Sequence, residues 1–142
     1  MCIRDSDRLV DVVAEHLPEG PKLYPEDMLT DRPERFLVGE LVREQVLRLT
    51  AEEVPHSVAV EVSSWREVEG ETHIEAVIHV ERESQKGILI GRGGSMIKRI
   101  GQAAREEAGK LLGGSVHLGL RVALSKGWRQ SPRALLELGF DE

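Results

Sequence analysis

Gly91 and Gly94 bracket Arg92 and Gly93 within Ile90-Gly91-Arg92-Gly93-Gly94-Ser95-Met96-Ile97-Lys98-Arg99-Ile100-Gly101, the stretch of this chain whose residue types most directly name a chemistry. Without Cβ atoms the outer glycines permit backbone conformations and close approaches that larger residues block, so such a turn can lie flat against another backbone. Ile97, Ile100, Ala104, Ala108 and Leu111 follow at helical spacing, which predicts a helix starting near Gly94 or Ser95 with its free N–H groups at the loop. A helix N-terminus attracts phosphate. Arg92 lies between the glycines, and Lys86, Lys98 and Arg99 flank them. Lys86, Ile90, Gly91, Arg92, Gly93, Gly94, Ser95, Ile97, Lys98 and Arg99 are therefore the candidate contacts, and the ligand they imply is a nucleic-acid backbone.

A G-x-x-G turn on its own also occurs for purely steric reasons. A second reading thus stays open, in which the domain is a protein-interaction module and the glycines only form the turn. Context favours the nucleic-acid reading: an apolar run, Gly87-Ile88-Leu89-Ile90, precedes the loop, a basic helix follows it, and alternating strands lie on both sides. This arrangement resembles the K-homology (KH) family, whose signature Ile/Val-Ile-Gly-x-x-Gly-x-x-Ile is matched by Leu89-Ile90-Gly91-Arg92-Gly93-Gly94-Ser95-Met96-Ile97 at every position but the first, where the aliphatic Leu89 stands.

Charge distribution is consistent with a local phosphate site. The 142-residue chain carries a net charge of −6, yet Arg82 to Lys110 hold seven Lys or Arg against three Glu, leaving about −10 on the remainder. A basic face on an acidic body is enough for a short footprint, although steering at long range will be weak and salt will weaken it further. Apolar residues make up 40% of the chain, enough for an ordinary core. Cys2 is the only cysteine, so no disulfide framework is expected, and the five histidines show no zinc spacing. No metal or cofactor is expected. No apolar run approaches a membrane span and no signal-peptide core precedes the domain, which fits the cytoplasm.

The elements that must position the loop can be read in order. Met1 to Ser6 match neither a capped helix nor a strand and read as extraneous to the fold. Leu9, Val10, Val13 and Leu17 mark one face of a short helix over residues 9–17, too short to persist alone in water. Pro18, Pro21 and Pro25 then punctuate a linker over residues 18–32, and Pro33 follows it directly. A helix over roughly 33–50 follows, with Asp31 as N-cap, Pro33 in the first turn and Val38, Leu41, Val42, Gln45, Val46 and Leu49 on one face. Val58, Val60 and Val62 alternate, as do Ile74, Ala76, Ile78 and Val80, predicting two strands joined by a hairpin at Glu69-Gly70. A third strand runs through Val116, Leu118, Leu120, Val122 and Leu124. Ser131-Pro132 should cap a terminal helix from Arg133 to Leu138, closing at Gly139. The order α-β-β-α-α-β is that of the type II KH fold, an α+β domain with helices on one face of a three-stranded mixed sheet, with a right-handed crossover into the last strand.

The resemblance then sharpens. Leu17-Pro18-Glu19-Gly20-Pro21, Tyr24-Pro25-Glu26-Asp27, Asp31-Arg32-Pro33-Glu34-Arg35-Phe36, Val80-Glu81-Arg82-Glu83-Ser84-Gln85-Lys86 and Trp128 to Phe140 are similar to the C-terminal part of the Era family of bacterial GTPases. That resemblance implies single-stranded RNA as partner, namely the 3′ end of 16S rRNA, and a role in assembly of the small (30S) ribosomal subunit. It also implies a GTPase domain in cis, of which residues 9–17 would be the last helix; DNA is not an expected partner. Peripheral association with the inner membrane belongs to the resembling family and is not legible in the residues of this chain. Deleting residues 1–30 is expected to leave the melting temperature of the KH core nearly unchanged; a large loss in a calorimetric scan would place the segment in the core.

An enzyme is not expected. The chain has no G-x-x-x-x-G-K-[ST] phosphate loop and contains no asparagine, which excludes the guanine-reading Asn-Lys-x-Asp element. No aspartate lies between Arg32 and Phe140, so a Ser-His-Asp triad is absent there. His73, His79 and His117 are expected to be solvated on the outer sheet face, and Glu67, Glu69 and Glu71 to form a solvated turn. Trp65 and Trp128 could stack on bases, but KH sites seldom use aromatic platforms, and packing is the expectation for Trp128.

Overall fold

Ile74, Ala76, Ile78 and Val80 point to one face of a central strand, and everything that positions the glycine loop packs against that face. The computed structural model describes residues 5–25, 30, 32–50, 54 and 57–138. The expected N-cap Asp31, the entry to the first strand at Pro55 and His56, and the helix stop at Gly139 lie outside these residues. The chain divides into two units, Met1–Asp31 and Arg32–Glu142.

The first unit contains α1, Ser6–His16, none of whose residues is buried. It begins earlier than the apolar face predicted, at Ser6, because polar residues with adequate propensity extend it by nearly a turn. Leu17 is not part of it: as C-cap it is extended, with ψ 137°, as expected before Pro18, whose ring disfavours helical geometry at the preceding residue. Pro18 to Tyr24 form no regular element.

The second unit opens with α2, Glu34–Leu49. Pro33 is its N-cap, extended at φ −60° and ψ 146°, and so sits one step outside the first turn it was expected to occupy. Its carbonyl accepts from the amides of Phe36 and Leu37. Strand β1, Ala59–Val68, pairs antiparallel with β2, Glu71–Val80, through a two-residue link. Glu69 and Gly70 have φ values of 53° and 84°, the positive pair that a type I′ hairpin requires. A bulge between Val62 and Ser64 shifts the register, so the strict alternation read over Val58, Val60 and Val62 does not continue to the hairpin.

Helix α3, Glu83–Ile90, a 3₁₀ turn at Arg92–Gly94 and α4, Ser95–Leu112, then cross to β3, Val116–Leu124. β3 pairs parallel with β2, giving a mixed sheet in the order β1-β2-β3. The last helix described is α5, Pro132–Glu137, where Ser131 Oγ accepts from the Ala134 amide at 3.3 Å. It starts at Pro132 and not Arg133 because the fixed φ of proline suits the first helical position.

One core cluster joins Val42 and Val46 of α2, Ile78 and Val80 of β2, Leu89 of α3, and Ile100 and Ala104 of α4. A second joins Val38, Ile74, Ala108 and Val116, with Trp65 packed against it. Each large aliphatic group buried in this way contributes about 1.5–3 kcal/mol. The outer sheet face is drier than the sequence pattern implied. Val77 is 1% exposed, although it has the parity of the outward residues, since a central strand is flanked on both sides. His79 is likewise not solvated: Nε2 donates to Glu61 Oε2 at 3.0 Å, and Nδ1 lies 2.8 Å from Ser125 Oγ. Trp128 is buried and donates Nε1–H to the Ser57 carbonyl at 3.4 Å, in keeping with packing.

Candidate nucleic-acid interface

The loop is built from three glycines at positive φ. Gly91 has φ 71° and ψ 175°, Gly93 φ 62° and ψ 22°, and Gly94 φ 76° and ψ 16°. Only Gly91 is sterically locked: a Cβ there would lie 2.7 Å from Met96 Cβ and 2.8 Å from the Met96 amide nitrogen. At Gly93 and Gly94 a Cβ would meet nothing within 4 Å, so those two are required by conformation and present bare backbone outward. The Gly91 amide donates to Gly87 O at 2.9 Å, closing α3, and the Gly94 amide donates to Gly91 O at 3.2 Å.

Two features fix α3 and α4 around this turn. Gln85 Oε1 accepts from the amides of Arg82 and Glu81 at 3.0 and 3.1 Å, while its Nε2 donates to Ser57 Oγ, tying the start of α3 to the entry of β1. Leu89, fully buried, anchors its end. At the other side, the N-cap of α4 is Gly94, which supplies no side-chain acceptor for the first amides of that helix. The positive end of an 18-residue helix therefore faces the glycine turn without a side-chain cap.

The predicted contacts come together at this point. Arg92, Ser95, Lys98 and Arg99 are exposed, Ile90 is 36% exposed, and Lys86 and Ile97 are half-buried. Among the described residues, no carboxylate lies within salt-bridge distance of Lys86, Arg92, Lys98 or Arg99, whereas Arg43, Arg48 and Lys110 pair with Glu40, Glu44 and Glu107. The cations near the loop are those left to a ligand.

A groove beside the loop is what the resemblance implies for the bases, but of its lining only Ile97 and Lys98 are among the residues the sequence singles out. Between α4 and the edge strand β3 lies a cleft of about 410 Å³, lined by Ile97, Lys98, Gly101, Gln102, Arg105, Leu118 and Leu120. It begins at the first turn of α4 and has an apolar floor with polar and basic walls. Gly101 faces the strand, and a Cβ there would make ordinary contact with Leu120 Cδ1 at 3.5 Å, so its absence leaves the cleft slightly wider. The signals were present: a glycine inside a helix, where it costs about 1 kcal/mol against alanine, and Lys98, Gln102 and Arg105 at helical spacing on one side. Leu118 and Leu120 read as core residues, yet they remain only half-buried because β3 is an edge strand.

Comparison with known proteins adds a family. Residues 53–129 match the KH domain family model. The chain is 55% identical over 133 residues to the GTPase Era of Nostoc sp., an alignment that covers 94% of this chain and 41% of that protein. Its fold superposes on Aquifex aeolicus Era, in a crystal structure of a variant bound to GDP·AlF4−, with a TM-score of 0.86, 40% identity and coverage of 97% of this chain and 47% of that one. A complex of Era with MgGDPNP and nucleotides 1506–1542 of 16S ribosomal RNA gives a TM-score of 0.87 at 40% identity, with the same coverage. The chain thus spans less than half the length of these relatives. With more than half of its residues inside the match and the glycine turn between α3 and α4 at its centre, the chain belongs to the KH domain family.

Proposed function

We propose that this chain binds single-stranded RNA, with Gly91 to Gly94 holding the backbone of about four nucleotides and the α4–β3 groove receiving their bases. The observation that carries the reading is the side-chain-free turn at the uncapped N-terminus of α4, opening directly into that groove. Backbone amides and the cations Arg92, Lys98 and Arg99 position the phosphates; Ile90 and Ile97 supply apolar contact; Ser95 and Lys86 extend the polar rim. The Era complex containing 16S ribosomal RNA supports the choice of RNA as ligand. In this proposal the RNA is the 3′ end of the small-subunit ribosomal RNA, the process is assembly of the small subunit, and a GTPase domain in cis is the partner that couples binding to nucleotide.

The chain itself acts as a binding module and not as an enzyme. Since it lacks both the phosphate loop and the Asn-Lys-x-Asp element, it is expected neither to bind GTP tightly nor to hydrolyse it. Calorimetry checks this, and micromolar affinity accompanied by turnover would contradict it. Titration of a labelled single-stranded RNA at two salt concentrations tests the RNA reading. Saturable binding that weakens with salt supports it, whereas the absence of binding would favour a protein-interaction module.

A further inference from the structure

Glu71 and His73 lie far from His117 in the sequence, and each of the three reads there as a solvated surface residue, yet the parallel pairing of β2 and β3 brings them together. His73 and His117 are Cα partners across the two strands, and Glu71 lies two residues before His73 on the same face. The two imidazoles stack with ring centroids 4.5 Å apart and planes inclined by 23°. His117 Nε2 lies 2.8 Å from Glu71 Oε2, and Ser115 Oγ donates to Glu71 Oε1 at 3.1 Å. One ligand atom from each of Glu71, His73 and His117 can be chosen so that all lie within 4.8 Å of one another.

We propose that Glu71, His73 and His117 form a binding site for a divalent transition-metal ion of the zinc class. Two imidazoles and one carboxylate are a ligand set that suits this class, with the fourth position left to water. In a tetrahedral site, ligand atoms about 2.0–2.1 Å from the ion stand about 3.3 Å apart, so a small opening of the Glu71–His117 contact and a turn of the His73 ring admit the ion. Ser115 already holds the carboxylate by its second oxygen, the kind of outer contact that orients a metal ligand. His79, the other histidine on this face, is committed to Glu61 and Ser125.

The site is separate from the glycine loop. α4 starts at the loop and, over 18 residues or about 27 Å, delivers the chain to the start of β3, where His117 lies. The cluster also occupies the sheet face opposite the residues that pack against α2 and α4. Metal binding there would clasp the first residues of β3 to β2.

Isothermal titration of Zn²⁺ into the full chain near neutral pH tests the proposal, with the histidine ring resonances followed by NMR. One saturable ion per chain is expected, shifting the His73 and His117 rings, with affinity at least about tenfold lower in Glu71→Gln, His73→Ala and His117→Ala. His117 is exposed, so its variant should fold; circular dichroism checks this, and His117→Gln replaces it if needed. A chain that shows no saturable binding, or whose variants bind Zn²⁺ as the parent does, would overturn the assignment and leave the cluster as a hydrogen-bonded surface pair.

Discussion

Replacing Arg92 and Gly93 together by aspartate is expected to weaken single-stranded RNA binding at least about tenfold, roughly 1.4 kcal/mol. One cation is exchanged for two anions at the point where phosphates should pass, so attraction is lost and repulsion is added. The salt dependence should become shallower as well, by about 0.7 in the log–log slope for each phosphate that the variant no longer engages. Folding should survive. Arg92 is exposed, and a Cβ at position 93 enters open space. The backbone there, φ 62° and ψ 22°, is left-handed helical, a conformation that aspartate adopts more readily than most residues, at a cost of about 1–2 kcal/mol. Circular dichroism and anisotropy titration at two salt concentrations measure both sides. A folded double variant that binds RNA like the parent would reduce the glycine loop to a turn.

Gly91→Ala should act differently, through stability. The added methyl would press on the Cβ and amide of Met96, in the first turn of α4, where no flexible chain end can yield. With ψ at 175° and a positive φ, the position also lies in a region that is nearly exclusive to glycine. Overpacking and strain together should cost about 2–4 kcal/mol and lower the melting temperature by about 10 °C or more. Gly87→Ala is the matched control. It lies inside α3 with open space around its Cβ position, and alanine there should leave stability unchanged or raise it by about 0.5–1 kcal/mol. Equal melting temperatures for the Gly91 variant and the parent would show that the loop does not need the geometry described.

The loop was the most legible part of the chain because its requirement is local. Glycines at 91 and 94 announce special backbone, and the apolar spacing from Ile97 onward announces the helix that follows. The order of elements and the hairpin at Glu69-Gly70 were legible for the same reason, since period and turn chemistry are written in adjacent residues. The far wall of the groove was not, because it depends on which strand lies at the edge. Leu118 and Leu120 carry the alternation of core residues, and only the sheet order leaves them half open beside α4. Nor was the environment of the histidines. His73 and His79 share one parity, yet β3 brings His117 to the first and the residue after it, Ser125, to the second, so the same pattern yields a stacked surface pair and a half-buried hydrogen-bonded ring. Gln85 stands in the sequence only within the stretch from Val80 to Lys86 that carries the resemblance; its amide fastens α3 to Ser57 and so sets where the loop stands.

Backbone amide NMR during titration with a short single-stranded RNA decides whether the glycine turn and its groove are the RNA site. The largest shifts are expected on Gly91 to Lys98, on Gly101 and Gln102, and on Leu118 and Leu120 across the groove, with the outer-face residues Glu61, Glu75 and Arg121 unmoved. Shifts confined to the outer face, or RNA binding that leaves Gly91 to Gly94 and the groove untouched, would contradict it.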